Sequence, residues 1–219
     1  MDPLTGEDAD SVLQEWWAYL VDHPGQHIVH AIWLHHQTSR FFSNLPAYRV
    51  WLEHGPEAVE NALRQLFEDS LSWSYIADAR AVFRNHGTNI RIVIVSQQAL
   101  DNPDSWQRFW VEVHGRFFAA FCGEEVWLLT EQQVRAAGIE PSRYDRNIWG
   151  DCGVMLTYYR PDGDEEGRAF LEVYGQIVEA KPHYEYIWEL LELARGQGRR
   201  IRRAPAEITP HLDPIPEPE

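Results

Sequence analysis

Four histidines crowd into one short stretch, at His27, His30, His35 and His36. Imidazole is the commonest zinc ligand, so the chemistry on offer would be metal-assisted hydrolysis. His27, His30 and His35 would be the ligands, and carboxylates from elsewhere would complete the set. The spacing opposes it. At about 100° per helical residue, His27 and His30 lie about 60° apart, His35 is about 140° from His30, and His36 faces away from His27. No pair among the four has the i,i+4 spacing of a zinc-protease helix, and Pro24-Gly25 breaks the chain between His23 and His27. A polar helix face with one or two packed histidines fits better, and no metal or other cofactor is expected. A metal-dependent hydrolase built on a histidine-rich helix over 27–36 stands as the alternative.

The other reactive residue types fare no better. Asp162-Gly163-Asp164-Glu165-Glu166-Gly167 opens like a calcium loop, yet its twelfth position is Val173, where a bidentate glutamate is required, and Glu172 misses by one. Cys122 and Cys152 would need His114 or His86 as a base, and nothing near either in sequence lowers a thiol pKa. No Gly-x-Ser-x-Gly elbow, phosphate-binding lysine loop or dinucleotide glycine fingerprint occurs. Lys181 is the only lysine, which excludes any mechanism needing two. The spacing therefore supplies no catalytic residue.

The elements that would position a site read more clearly. Asn89 to Ser96, Asn-Ile-Arg-Ile-Val-Ile-Val-Ser, is the one run dominated by β-branched residues, and apolar residues on both faces make it an interior strand. Before it the pattern is helical. Val12, Trp16 and Leu20 stripe one helix, a second is expected from Gln26 to Phe42, and a third opens at Gly55-Pro56 with Val59, Ala62, Leu63, Leu66, Phe67 and Leu71 on its inner face. After it the texture alternates. Trp106, Phe109, Trp110 and Val113 predict a helix, against a hairpin about His114-Gly115; Val126 to Thr130 is a strand, and Glu131 to Ala137 a short helix. Asn147 to Trp149 and Val154 to Arg160 pair as strands, Ala169 to Tyr174 fits strand or helix, and Pro182 to Ala194 is a helix with Tyr184, Ile187, Trp188 and Leu191 inward.

Composition bounds the class. With 219 residues, 44% hydrophobic and 24% charged, the chain can bury a sizeable core. Its 34 acidic and 19 basic residues leave a net charge of −15, which opposes nucleic acid except through Arg199, Arg200, Arg202 and Arg203. Ten tryptophans fall mostly in periodic segments, as packing residues do. No apolar run reaches the ~18 residues that span a bilayer. The opening Met-Asp-Pro-Leu-Thr-Gly-Glu-Asp has neither the positive nor the apolar region of a signal peptide. Two cysteines are too few for a disulfide framework, and a cytoplasmic location is expected.

Within residues 89–195, Ile90-Arg91-Ile92-Val93-Ile94-Val95-Ser96, the aromatic helix Trp106 to Phe118 followed by Gly123-Glu124-Glu125-Val126-Trp127-Leu128-Leu129, the hairpin from Tyr144-Asp145 through Arg160-Pro161-Asp162-Gly163, and the helix with Tyr184 to Trp188 carry a resemblance. The segment resembles the phospholipase-D-like fold in its small, degenerate, non-catalytic versions. It is similar to an uncharacterised actinobacterial domain family often encoded near DNA-binding regulators. Catalytic members use His-x-Lys-x-x-x-x-Asp. Here Lys181 has Glu179 and Tyr186 in place of the histidine and the aspartate. The resemblance thus implies the fold without the phosphodiester chemistry.

Together these readings predict an α+β protein: an N-terminal helical region over 1–84 packed on a small mixed β-sheet with flanking helices over 85–197, then an arginine-rich and proline-acidic tail over 198–219. The expected role is a non-catalytic sensor or protein-interaction module of a bacterial regulatory or defence system, with a protein partner or small ligand and a homodimer as one arrangement. The expected contact surface lies past the carboxyl end of the interior strand, where Ser96, Gln97 and Gln98 meet the helix bearing Arg108.

Overall fold

The computed structural model describes residues 3–36, 45–68, 73–161 and 165–202. Its centre is the β-branched run, β2 (Thr88–Val95), in which every residue after Thr88 is buried. A strand closed on both faces needs a neighbour on each edge. β1 (His27–Trp33) lies parallel on one side, from His27↔Thr88 to Trp33↔Ile94. β3 (Glu125–Thr130) lies parallel on the other, from Ile90↔Glu125 to Val95↔Thr130. Beyond β1, the strands β4 (Tyr144–Trp149), β5 (Gly153–Tyr159) and β6 (Glu165–Glu172) continue antiparallel, while β7 (Arg199–Arg200) pairs antiparallel with β3. The order is β6-β5-β4-β1-β2-β3-β7, a mixed seven-stranded sheet flanked by helices, and the fold is α+β as expected.

β1 corrects the expected helix from Gln26 to Phe42. His-Ile-Val-His-Ala-Ile-Trp is buried at every position after His27, because β2 and β4 cover its edges and helices cover its two faces. A strand enclosed in this way loses the two-residue alternation that would mark it, and a polar His30 inside the run imitates a helix face. The histidine-rich helix therefore does not exist over His27–Trp33. The boundary at residue 84 falls with it, since a strand from the N-terminal part sits between β4 and β2.

Helices cover both sheet faces. α1 (Gly6–Asp22) turns Trp16 and Leu20 onto Ile28, Trp149, Met155 and Phe170, with Trp16 edge-on to Phe170 at 5.1 Å. α2 (Pro46–His54), a 3₁₀ turn (Gly55–Ala58), α3 (Val59–Glu68) and α4 (Trp73–Arg84) connect β1 to β2. Pro56 opens the 3₁₀ turn rather than the helix, and Ala62, Leu63, Leu66 and Phe67 form the buried stripe that their spacing predicts. Leu71 lies outside the described residues. α5 (Gln97–Asp101) leaves β2 at once. α6 (Trp106–Phe109), a π-helical turn (Trp110–His114) and α7 (Gly115–Phe121) then follow one another without a break, which excludes the hairpin about His114-Gly115.

The opposite face belongs to α8 (Glu131–Ala136) and α9 (Val173–Gln197). Ile187, Leu190, Leu191 and Ala194 of α9 pack on a layer that includes Val29, Ala31, Trp33 and Ile92. The ambiguous stretch Ala169 to Tyr174 is divided between the two forms, strand through Glu172 and helix from Val173. Pro182 sits inside α9 instead of opening it, and Trp188, expected inward, is 47% exposed. The start of the expected tail over 198–219 is part of the sheet. Arg199 and Arg200 are sheet residues and Ile201 is buried, its main-chain N–H donating to Val126 O at 2.8 Å. Arg203 and the Asp162-Gly163-Asp164 turn lie outside the described residues. No helix among those described is long and apolar enough to cross a membrane.

Candidate functional site

Because β2 and β3 run parallel, their carboxyl ends arrive on the same edge of the sheet, and the chain leaving each must turn away there. Ser96 ends β2 and caps α5, its hydroxyl accepting from the Ala99 main-chain N–H at 3.2 Å. Thr130 ends β3 and caps α8 in a capping box: its hydroxyl accepts from Gln133 N at 3.2 Å while the Gln133 side chain accepts from Thr130 N at 2.8 Å. Between these two exits opens a cleft of about 450 Å³, lined by Gln97, Leu100, Arg108, Glu112, Leu128, Thr130, Gln133, Gln197, Gly198 and Arg199.

Its polar groups are unequally occupied. The Gln97 amide donates to Asp101 Oδ1 at 2.9 Å, and Gln133 Nε2 donates to the Gln197 carbonyl at 2.8 Å, tying α8 to the end of α9. Arg199, placed opposite Leu128 by β7, stands 3.8 Å from Glu112. That separation exceeds hydrogen-bond range, and both groups are partly solvated, so the pair contributes little. Arg108 makes no hydrogen bond or ion pair among the described residues. Among the described residues it is the arginine of the lining that has no charged partner.

The structure brings together two of the four residues expected at this edge. Gln97 and Arg108 line the cleft, Ser96 is spent as a helix cap, and Gln98 is exposed and outside the lining. The reading missed Glu112, Thr130, Gln133 and Arg199. Thr130-Glu131-Gln132-Gln133 carried a visible signal, since Thr-x-x-Gln after an apolar strand is a capping box. Arg199 carries no such signal, since only its pairing with Leu128 of β3 brings it to the cleft.

The histidines are dispersed. His27 is exposed and its Nδ1 lies 2.8 Å from Thr88 Oγ1; His35 Nδ1 lies 3.1 Å from Glu131 Oε1. His30 is buried, and three residues along a strand from His27 it faces the other side of the sheet. Its Nδ1 donates to Asn147 Oδ1 at 2.8 Å, and burial, with Arg91 adding to the effect, lowers its pKa to about 4. Among the described residues no group of three or more His, Cys, Asp or Glu side chains is placed to hold a metal ion. The metal-dependent hydrolase loses the helix on which it depended.

His30 belongs to a buried polar row instead. Arg91, its register partner on β2, donates to Glu124 through Nε at 2.5 Å and Nη2 at 2.9 Å, beneath the Phe118 ring at 4.3 Å. His114 lies near the same guanidinium, its pKa lowered to about 3 by burial and then by Arg91. The thiols are also quiet at neutral pH. Burial and then Glu124 push Cys122 well up, and burial raises Cys152 to about 11.

No family model, curated protein or solved structure matches this chain. Lys181, the residue on which the phospholipase-D-like comparison turns, is exposed on α9 and pairs with Glu185 at 3.2 Å. It is not one of the residues lining the cleft.

Proposed function

We propose that this chain is a non-catalytic binding module, a sensor or protein-interaction component of a bacterial regulatory or defence system that works in the cytoplasm. It holds its small ligand or partner in the cleft at the carboxyl ends of β2 and β3. One observation carries the reading: Arg108, with no partner among the described residues, lines a cleft in which the neighbouring amides and hydroxyl are already hydrogen-bonded within the chain. The one hydroxyl of the lining, Thr130, is held in the capping box with Gln133, and its one carboxylate, Glu112, faces Arg199, so the groups found there suit recognition. The resemblance to degenerate phospholipase-D-like domains supports the same role, because the lysine lacks its histidine and aspartate.

Nucleic acid is the less suitable partner. The net charge is −15, and Arg199 is turned toward Glu112.

The test is a thermal-shift panel on the full chain with nucleotides, sugar phosphates, amino acids and aliphatic carboxylates as probes. At least one class should raise the midpoint of the wild type and not that of the Gln97→Ala/Arg108→Ala double variant, whose own midpoint stays within about 2 °C of wild type. A rise that persists in the double variant, or no rise with any class, overturns the proposal.

A further inference from the structure

Resting on the cleft as the binding site, the geometry points to its ligand class: we infer that it takes a small monoanionic carboxylate with a branched or linear aliphatic body, seated with its carboxylate on Arg108.

Three features select this chemistry. The first is hydrogen-bond supply. Gln97 donates to Asp101, Thr130 and Gln133 satisfy each other, and Gln133 also reaches the Gln197 carbonyl, whereas the Arg108 fork has no partner among the described residues. A ligand entering here meets spare donors, so it must bring acceptors. A planar guanidinium engages a carboxylate through two parallel N–H bonds.

The second feature is charge. Arg108 and Arg199 supply two positive charges and Glu112 one negative, a local excess of one in a protein that carries −15 overall. A monoanion balances that excess. A phosphate monoester near neutral pH brings up to two negative charges and sets the second against Glu112.

The third feature is the apolar lining. Leu100, carried by α5, and Leu128, on β3, are partly and fully buried, and they give the cleft two aliphatic contacts and no aromatic platform. That lining suits an aliphatic body better than a nucleoside, for which a stacking ring would be the usual receptor.

The test is calorimetric titration of the full chain with 4-methylpentanoate, its neutral isostere 4-methylpentanamide, and isopentyl phosphate. The carboxylate should bind with Kd on the order of 1 mM, as expected for so few atoms, and the amide at least about tenfold more weakly. Arg108→Gln should weaken the carboxylate at least about tenfold, the loss expected for a charge-assisted hydrogen bond. Glu112→Gln should narrow the gap between phosphate and carboxylate. The amide arm needs no variant, so misfolding cannot imitate the expected result. Equal binding of amide and carboxylate, tighter binding of the phosphate, or an unchanged carboxylate Kd in Arg108→Gln overturns the inference. If another class in the thermal-shift panel depends on Gln97 and Arg108 while 4-methylpentanoate does not bind, the ligand assignment alone is lost. If nothing depends on them, the cleft is lost as well.

Discussion

Acid should unfold this protein through its interior histidines, by an amount that follows from their burial. His30 and His114 are 5% and 9% exposed, with pKa values lowered from 6.5 to about 4 and about 3. Below pH 6.5 the unfolded chain takes up protons that the folded imidazoles refuse. Their contribution is therefore complete at pH 8, falls as pH drops through 6.5, and is exhausted only below the folded values. At pH 5 each group lies about 1.5 units below its unfolded pKa, which costs about 2 kcal/mol apiece and about 4 kcal/mol together. The comparison is urea unfolding at pH 8 and pH 5 for the wild type and His30→Gln. The variant removes one proton acceptor from the unfolded state, so its loss between the two pH values should be smaller by about 2 kcal/mol. Equal losses in both proteins would mean that His30 is not held neutral inside the sheet.

Three other perturbations have expected outcomes. Glu124→Ala leaves Arg91 buried without its bidentate acceptor and should cost about 3–5 kcal/mol, whereas Arg91→Met/Glu124→Leu should recover most of that loss; equal destabilisation of the two proteins in urea would contradict the pairing. Gly153→Ala should lower stability by at least about 2 kcal/mol, because φ is +149° there and a Cβ would stand 2.1 Å from the Leu171 carbonyl; a wild-type midpoint would refute that geometry. Cys152, with a pKa of about 11, holds about a thousandth of its sulfur as thiolate at pH 8, so iodoacetamide should label it far more slowly than a free cysteine, and labelling at the free rate would contradict its burial beside Asp151.

What could be read from residues alone depended on where a pattern met its surroundings. β2 was legible because six of its eight residues are isoleucine, valine or threonine around one buried Arg91, a composition that few other elements use. β1 was not, because Ile28, Val29, Ile32 and Trp33 are covered on both faces by elements distant in sequence, which erases alternation and leaves only an apolar run. β7 was beyond reach for another reason: two residues carry no period, and what holds Arg199 and Arg200 in the sheet is β3, more than seventy positions earlier. Gly115 shows the same dependence, since its missing side chain makes room for Ile201, whose Cδ1 would stand 2.9 Å from a Cβ there. The cleft was half legible. The rule that parallel strands expose their carboxyl ends pointed to Gln97 and Arg108, while Glu112 and Arg199 enter it through tertiary packing.

The central claim is that ligands are held between the exits of β2 and β3, and amide NMR of the full chain tests it most directly. Titrated with whichever probe raises the thermal midpoint most, the main-chain signals of Gln97, Leu100, Thr130, Gln133 and Gly198 should move together and saturate with one Kd. Saturating shifts confined to another surface, such as the exposed side of α9 around Trp188, with these five unmoved, would contradict it.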